Sequence, residues 1–166
     1  QGKSLPTDYI KDWETADKSV SALVSVIEAF GAQNGDATDV DLVAHSMGAR
    51  LTLAALQELA ARPSSSQIRF RRLILAAPDV SAASLKSSWG TLRKTFLRDS
   101  TIYISDHDLA LGISKKFMNP GEGNRVGLAP PIFVADGVES IFIGPNEFSL
   151  TGHSYHVANG MIASDL

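Results

Sequence analysis

The sequence predicts an α/β protein, with a mostly parallel sheet and helices on both faces. Short β-rich apolar runs recur at Asp39–His45, Phe70–Ala77, Thr101–Ser105 and Ser140–Ile143. Stretches with apolar residues at helical spacing lie between them. The chain has 166 residues, 44% hydrophobic and 20% charged, which is enough for one domain with a real core.

Each element follows from its local pattern. Gln1–Tyr9 is polar with Gly and Pro and reads as a loop. Val20, Leu23, Val24, Ile27 and Phe30 place an amphipathic helix over about Asp12–Gln33, ended by Gln33-Asn34-Gly35-Asp36. Asp39–His45 is a strand and Met47 to about Ala61 a helix, followed by a Pro63–Ser66 loop. Phe70–Ala77 is a buried-type strand stopped by Pro78 and Asp79, and Ser84–Leu97 is a helix. Thr101–Ser105 is a third strand and Leu109–Phe117 a short helix. Asn119–Pro131 is a long Gly- and Pro-containing loop, and Ser140–Ile143 is the fourth strand. A tail from Asn146 carries Gly152-His153-Ser154-Tyr155-His156 and then a terminal helix.

Composition removes several function classes. With no cysteine there is no disulfide, thiolate metal site or cysteine nucleophile. The net charge is −3, and the cluster Arg69, Arg71, Arg72 has no interleaved aromatic run, so a nucleic-acid partner is not expected. No apolar run reaches membrane-spanning length. The expectation is a soluble protein, cytoplasmic or exported. The absence of a signal peptide says little, because the chain opens on Gln1 rather than Met. Asp106-His107-Asp108 has no second cluster at ligand spacing, so neither a metal nor another cofactor is expected.

The chemistry concentrates at Val43-Ala44-His45-Ser46-Met47-Gly48, where a strand becomes a helix. A serine on that tight turn is a nucleophile elbow. The turn brings backbones together, so small residues are expected two before and two after the serine. They are Ala44, a mild departure from the usual Gly, and Gly48. The helix that follows aims its N-terminal N–H groups at the site, which makes the Met47 N–H an oxyanion donor. The bland alternative is that Ser46 caps the helix.

A serine needs a base, and the base needs an orienting acid. Of the four histidines, His45 adjoins Ser46 and His107 precedes the last strand. His153 and His156 follow that strand, where the base belongs; His153 is favoured and His156 is the reserve. Asp79, Asp106 and Asp108 all stand just beyond strand ends and are candidates for the acid. Asp108 could equally cap the helix that begins at Leu109.

These residues carry a resemblance. AHSMGAR at Ala44–Arg50, LAAPDV at Leu75–Val80, YISDHDLAL at Tyr103–Leu111 and GHSY at Gly152–Tyr155 together resemble a family of uncharacterised bacterial α/β-hydrolases. The resemblance implies the α/β-hydrolase fold. It matches Asp108-Leu109-Ala110-Leu111 to the family's Asp-x-Ala-Leu, selecting Asp108 over Asp106, and it matches His153 to the family's histidine. It also implies that this chain corresponds to the C-terminal portion of the fold and lacks the N-terminal strands. A loop in that preceding half supplies the second oxyanion N–H. Asp39–His45 would then keep a bare hydrogen-bonding edge and an uncovered apolar face. An N-terminal fragment of the same protein, or a second copy of this chain, is expected to cover them.

The functional expectation is a serine hydrolase that cleaves a small carboxylic ester through an acyl-enzyme, with Ser46, His153 and Asp108 as triad. The ester class rests on fold analogy alone. The alternatives are an inactive hydrolase-like scaffold or interaction module, and an amidase or acyltransferase using the same triad.

Overall fold

The computed structural model describes residues 5–34, 39–62, 69–118 and 121–144. In chain order these form α1 (Leu5–Lys18), α2 (Val20–Asn34), β1 (Asp39–His45), α3 (Met47–Ala61), β2 (Arg69–Ala76), α4 (Ala82–Phe96), β3 (Leu97–Ser105), α5 (Leu109–Ile113), a π-helical turn (Ser114–Met118) and β4 (Val138–Ile143).

The sheet has four strands in the order β1-β2-β3-β4, all parallel. Sequence order and spatial order coincide, so β1 is an edge strand among the described residues. Alternation along each strand divides its side chains between two cores. On one face Ala44, Leu73, Leu75, Ile102 and Ile104 pack against Val24 and Ile27 of α2, Leu53 and Leu56 of α3, and Leu85, Trp89 and Leu92 of α4. On the other face Ile74, Tyr103 and Ile143 form a smaller cluster with Ala77 and Leu111 of α5. Helices therefore lie on both faces, and the α/β class stands.

The thin second face ends at β1. Val43 pairs with the buried Ile74 in the ladder, yet it is 52% exposed. Its same-face neighbour Asp41 accepts hydrogen bonds from Arg71 (2.7 Å) and Arg72 (3.1 Å) on β2. Those bonds, Arg71's first, hold the Asp41 carboxyl down at about 2 against the opposing effect of burial.

The structure departs from expectation in four places. Residues from Leu5 to Tyr9 are helical, not a loop. Pro6 is compatible with that because a first-turn residue has no intrahelical use for an N–H. The single helix expected over Asp12–Gln33 is two, separated at Ser19. There the Ser19 hydroxyl donates to the Thr15 carbonyl (2.7 Å), and the Ser19 N–H is shared between the Thr15 and Ala16 carbonyls (3.0 Å each). β3 begins at Leu97 rather than Thr101, because Leu97 and Asp99 already pair with Phe70 and Arg72. The helix expected over Leu109–Phe117 changes to π geometry at Ser114.

Candidate active site

β1 ends at His45 and α3 starts at Met47, so Ser46 alone makes the turn. Its backbone takes φ 53° and ψ −122°, a region that a residue with a side chain rarely occupies. Three main-chain bonds hold it there. The Ser46 N–H donates to the Ala76 carbonyl (3.0 Å), and the Ser46 carbonyl accepts from Ala49 (3.1 Å) and Asp79 (3.1 Å). The Ser46 side chain makes no capping bond to α3. The helix-cap alternative therefore has no support from geometry. Met47, directly after it, is the first residue of α3, whose opening N–H groups have no carbonyl within the helix to receive them.

The small flanking residues divide. Ala44 is buried in the core between sheet and helices. A Cβ at Gly48 would meet nothing within 4 Å, so no described neighbour demands a glycine there.

The three candidate acids occupy different environments. Asp108 is 2% exposed and is the N-cap of α5, with Oδ1 accepting from the Leu111 N–H at 3.0 Å. The capping alternative thus holds for Asp108, and it coexists with a buried carboxylate three residues beyond the carboxyl end of β3. Asp106 is more open and pairs with the Nδ1 of the exposed His107. Asp79 is 1% exposed and heavily engaged. It accepts from Ser114 Oγ (2.8 Å) and the Tyr9 hydroxyl, and it lies 3.2 Å from Arg125 Nε. His153 and His156 lie outside the described residues.

Sequence reasoning missed Tyr9, Ser114, Arg125 and Gly127. Arg125 is fully buried, with Nη1 donating to Glu122 (3.0 Å) and its guanidinium 5.8 Å from the Trp13 ring. The segment around it stitches strand ends together. Val126 N–H donates to Val80 (2.9 Å), Gly127 N–H to Pro78 (3.1 Å), and Ser105 N–H to the Gly127 carbonyl (3.0 Å). Only the glycines of Gly121-Glu122-Gly123-Asn124-Arg125-Val126-Gly127 hinted at close packing in that loop.

A cavity of about 410 Å³ opens beside the elbow between α1, α3 and α4. Arg50, one turn along α3 from Ser46, lines it and is ion-paired with Asp17 (3.0 Å) beneath the Trp13 ring. Ser46 itself does not line it. Among the described residues, no three His, Asp or Glu side chains gather as a metal site, and no helix is long and apolar enough to cross a membrane.

A parallel sheet between helix layers, with a strained serine where the first strand turns into a helix, defines an α/β-hydrolase-like protein. The comparison with family profiles agrees. Residues 2–132 match the family described as alpha/beta hydrolase of unknown function (DUF900), and the chain belongs to that family. The match includes Ser46, Asp79, Asp106 and Asp108 and stops short of both candidate base histidines. Neither a curated protein nor a solved structure matches the chain.

Proposed function

We propose that this chain is a serine hydrolase acting on a carboxylic ester through an acyl-enzyme. The observation that carries the reading is the Ser46 backbone, held at φ 53° between β1 and α3 with no side-chain cap bond. Strain of that kind is stored where function needs a group presented, and costs roughly 1–3 kcal/mol. In the proposed reaction Ser46 Oγ attacks the acyl carbonyl carbon while His153 takes its proton. The Asp108 carboxylate fixes the imidazole tautomer and stabilises the imidazolium. The Met47 N–H and a second donor receive the oxyanion. Collapse expels the alcohol, which takes the proton from His153. Water then attacks the acyl-Ser46 ester and regenerates the serine. Asp108 is favoured over Asp79 because Arg125, Ser114 and Tyr9 already surround the Asp79 carboxylate. It is favoured over Asp106 because Asp106 is paired with the exposed His107.

The same reading includes a cover for β1. An exposed Val43 beside a strand edge that has no partner among the described residues is an open template. The occupant is an N-terminal fragment of the same protein or a second copy of this chain, and light scattering separates the two.

The test is intact mass before and after reaction with a fluorophosphonate. One adduct mapped to Ser46, and none in Ser46→Ala, sustains the enzyme. An unlabelled wild type that is folded and has its sheet edge covered refutes it.

A further inference from the structure

The Ser46 conformation has to be enforced from outside, because a strained φ relaxes unless its surroundings over-determine it. Two of the three main-chain bonds described above for Ser46 come from the segment that closes β2. These are the Ala76 carbonyl, which is part of the ladder, and the Asp79 N–H, which lies beyond the strand end. The position of that N–H depends on what fixes Asp79. The main chain around it is itself unusual, with Ala77 at φ 45°. What anchors Asp79 is its side chain. The carboxylate is buried and held between Ser114 Oγ, the Tyr9 hydroxyl and the Arg125 guanidinium. Arg125 is anchored in turn by Glu122, and its neighbours Val126 and Gly127 bond the main chain on either side of Asp79, at Val80 and Pro78.

A buried ion pair is a poor source of stability, since desolvation offsets much of the attraction and a well-packed apolar pair often does as well. Arg125 shows the imbalance: its Nη2 has no hydrogen-bond partner among the described residues, and its Nε meets Asp79 as a close charge contact rather than an aligned bond. What such a pair supplies is direction. It fixes one carboxylate, and through it one peptide unit, in place.

We infer that Asp79 and Arg125 are positioning residues for Ser46: their buried ion pair clamps the turn after β2, so that the Asp79 N–H holds the Ser46 carbonyl and keeps the nucleophile in its strained conformation. The inference rests on the reading of Ser46 as nucleophile. It gives Asp79, a carboxylate beside the elbow, a task other than orienting the base.

The test compares wild type with Asp79→Asn and with the double variant Asp79→Asn, Arg125→Met. The single variant leaves the buried guanidinium with only the half-exposed Glu122 carboxylate as counter-charge and is expected to melt below wild type. The double variant removes both charges and is expected to recover folding. Fluorophosphonate inactivation is then resolved into maximal rate and half-saturating concentration across pH. The expected result for the folded double variant is a maximal rate lower by about tenfold to a hundredfold, the scale of a misplaced reacting group. Its half-saturating concentration should stay within about threefold and the pH midpoint should not move, because the base is untouched. Leu59→Ala, a core truncation in the last turn of α3, should lose stability yet react at the wild-type rate while folded. A folded double variant that reacts as fast as wild type overturns the inference. If folded wild type with its sheet edge covered takes no label, the nucleophile reading fails, and amide exchange then decides the clamp. An Asp79 N–H that exchanges as slowly in the double variant as in wild type overturns it, and faster exchange sustains it.

Discussion

Gly127→Ala is the sharpest structural perturbation available. Gly127 does not take a left-handed φ, so what it needs is space alone. An added Cβ would sit 2.6 Å from the Ala77 carbonyl carbon, 2.6 Å from the Pro78 nitrogen and 2.7 Å from Leu111 Cδ1. The Leu111 tip can swing away, but the Ala77–Pro78 backbone cannot do so freely. Opening that approach to ordinary contact strains the Gly127–Pro78 bond (3.1 Å) and the Ala77–Tyr103 bond (3.1 Å). Overpacking of this kind costs roughly 1–3 kcal/mol, and each weakened backbone bond adds about 0.5–1.5 kcal/mol. The expected loss is about 3 kcal/mol, which lowers the melting temperature by roughly 6–12 °C for a chain of this size. Thermal unfolding followed by circular dichroism measures it. Because Ala77–Pro78 leads into the Asp79 N–H, the fluorophosphonate rate of the folded variant should also fall. A melting temperature within about 2 °C of wild type would refute the steric reasoning, since even the low end of the overpacking range shifts it by that much.

Other outcomes follow from the same geometry. Ser46→Gly removes the proposed nucleophile but relieves its backbone, so the melting temperature should rise, by an amount reflecting about 1–2 kcal/mol, while labelling disappears. Asp108→Asn keeps an oxygen that can cap α5 but loses the charge, so stability should change little while the labelling rate drops by about 10³–10⁴-fold; Asp108→Ala should in addition lose about 1 kcal/mol of stability with the cap. An Asn variant that labels normally would leave Asp108 as a cap alone. Asp41 has a folded-state value near 2 against 3.8 for the ordinary group. Its contribution is therefore present above about 3.8 and is lost as pH falls through 2. Asp41→Asn should flatten that acid limb in urea titrations, and high salt should mimic part of the effect because Arg71 is exposed.

Much of this was legible in the sequence. The β1–turn–α3 unit was read to the residue, because an apolar run, a single polar turn residue and a helical pattern meet there without ambiguity. β2, α4 and β4 were off by one or two residues, where termini depend on pairing partners rather than local pattern. The N-terminal error had a cause of the same kind. Leu5–Lys18 is polar overall, and its helix is recognisable only from what Tyr9 and Trp13 touch: Asp79, Ser114 and Arg50, all distant in sequence. Arg125 was invisible for the same reason. An arginine in a glycine-rich loop reads as solvated, and its burial depends on a carboxylate 46 residues earlier in the chain. Local chemistry announced the serine; the apparatus that strains it is long-range.

The coincidence of chain order and sheet order bears on how the molecule assembles. Each strand can dock on the one made just before it, so the sheet can grow unit by unit, each pairing closing one helical crossover. The stitching segment around Arg125–Gly127 is different. It reaches back past two strand ends, and it can lock only after β2, β3 and the turn beyond α5 are in place. Until then the Asp79 N–H is not fixed against the Ser46 carbonyl. A nascent chain would carry a nearly finished sheet with Ser46 relaxed, and would acquire this high-energy residue as one of the last acts of folding.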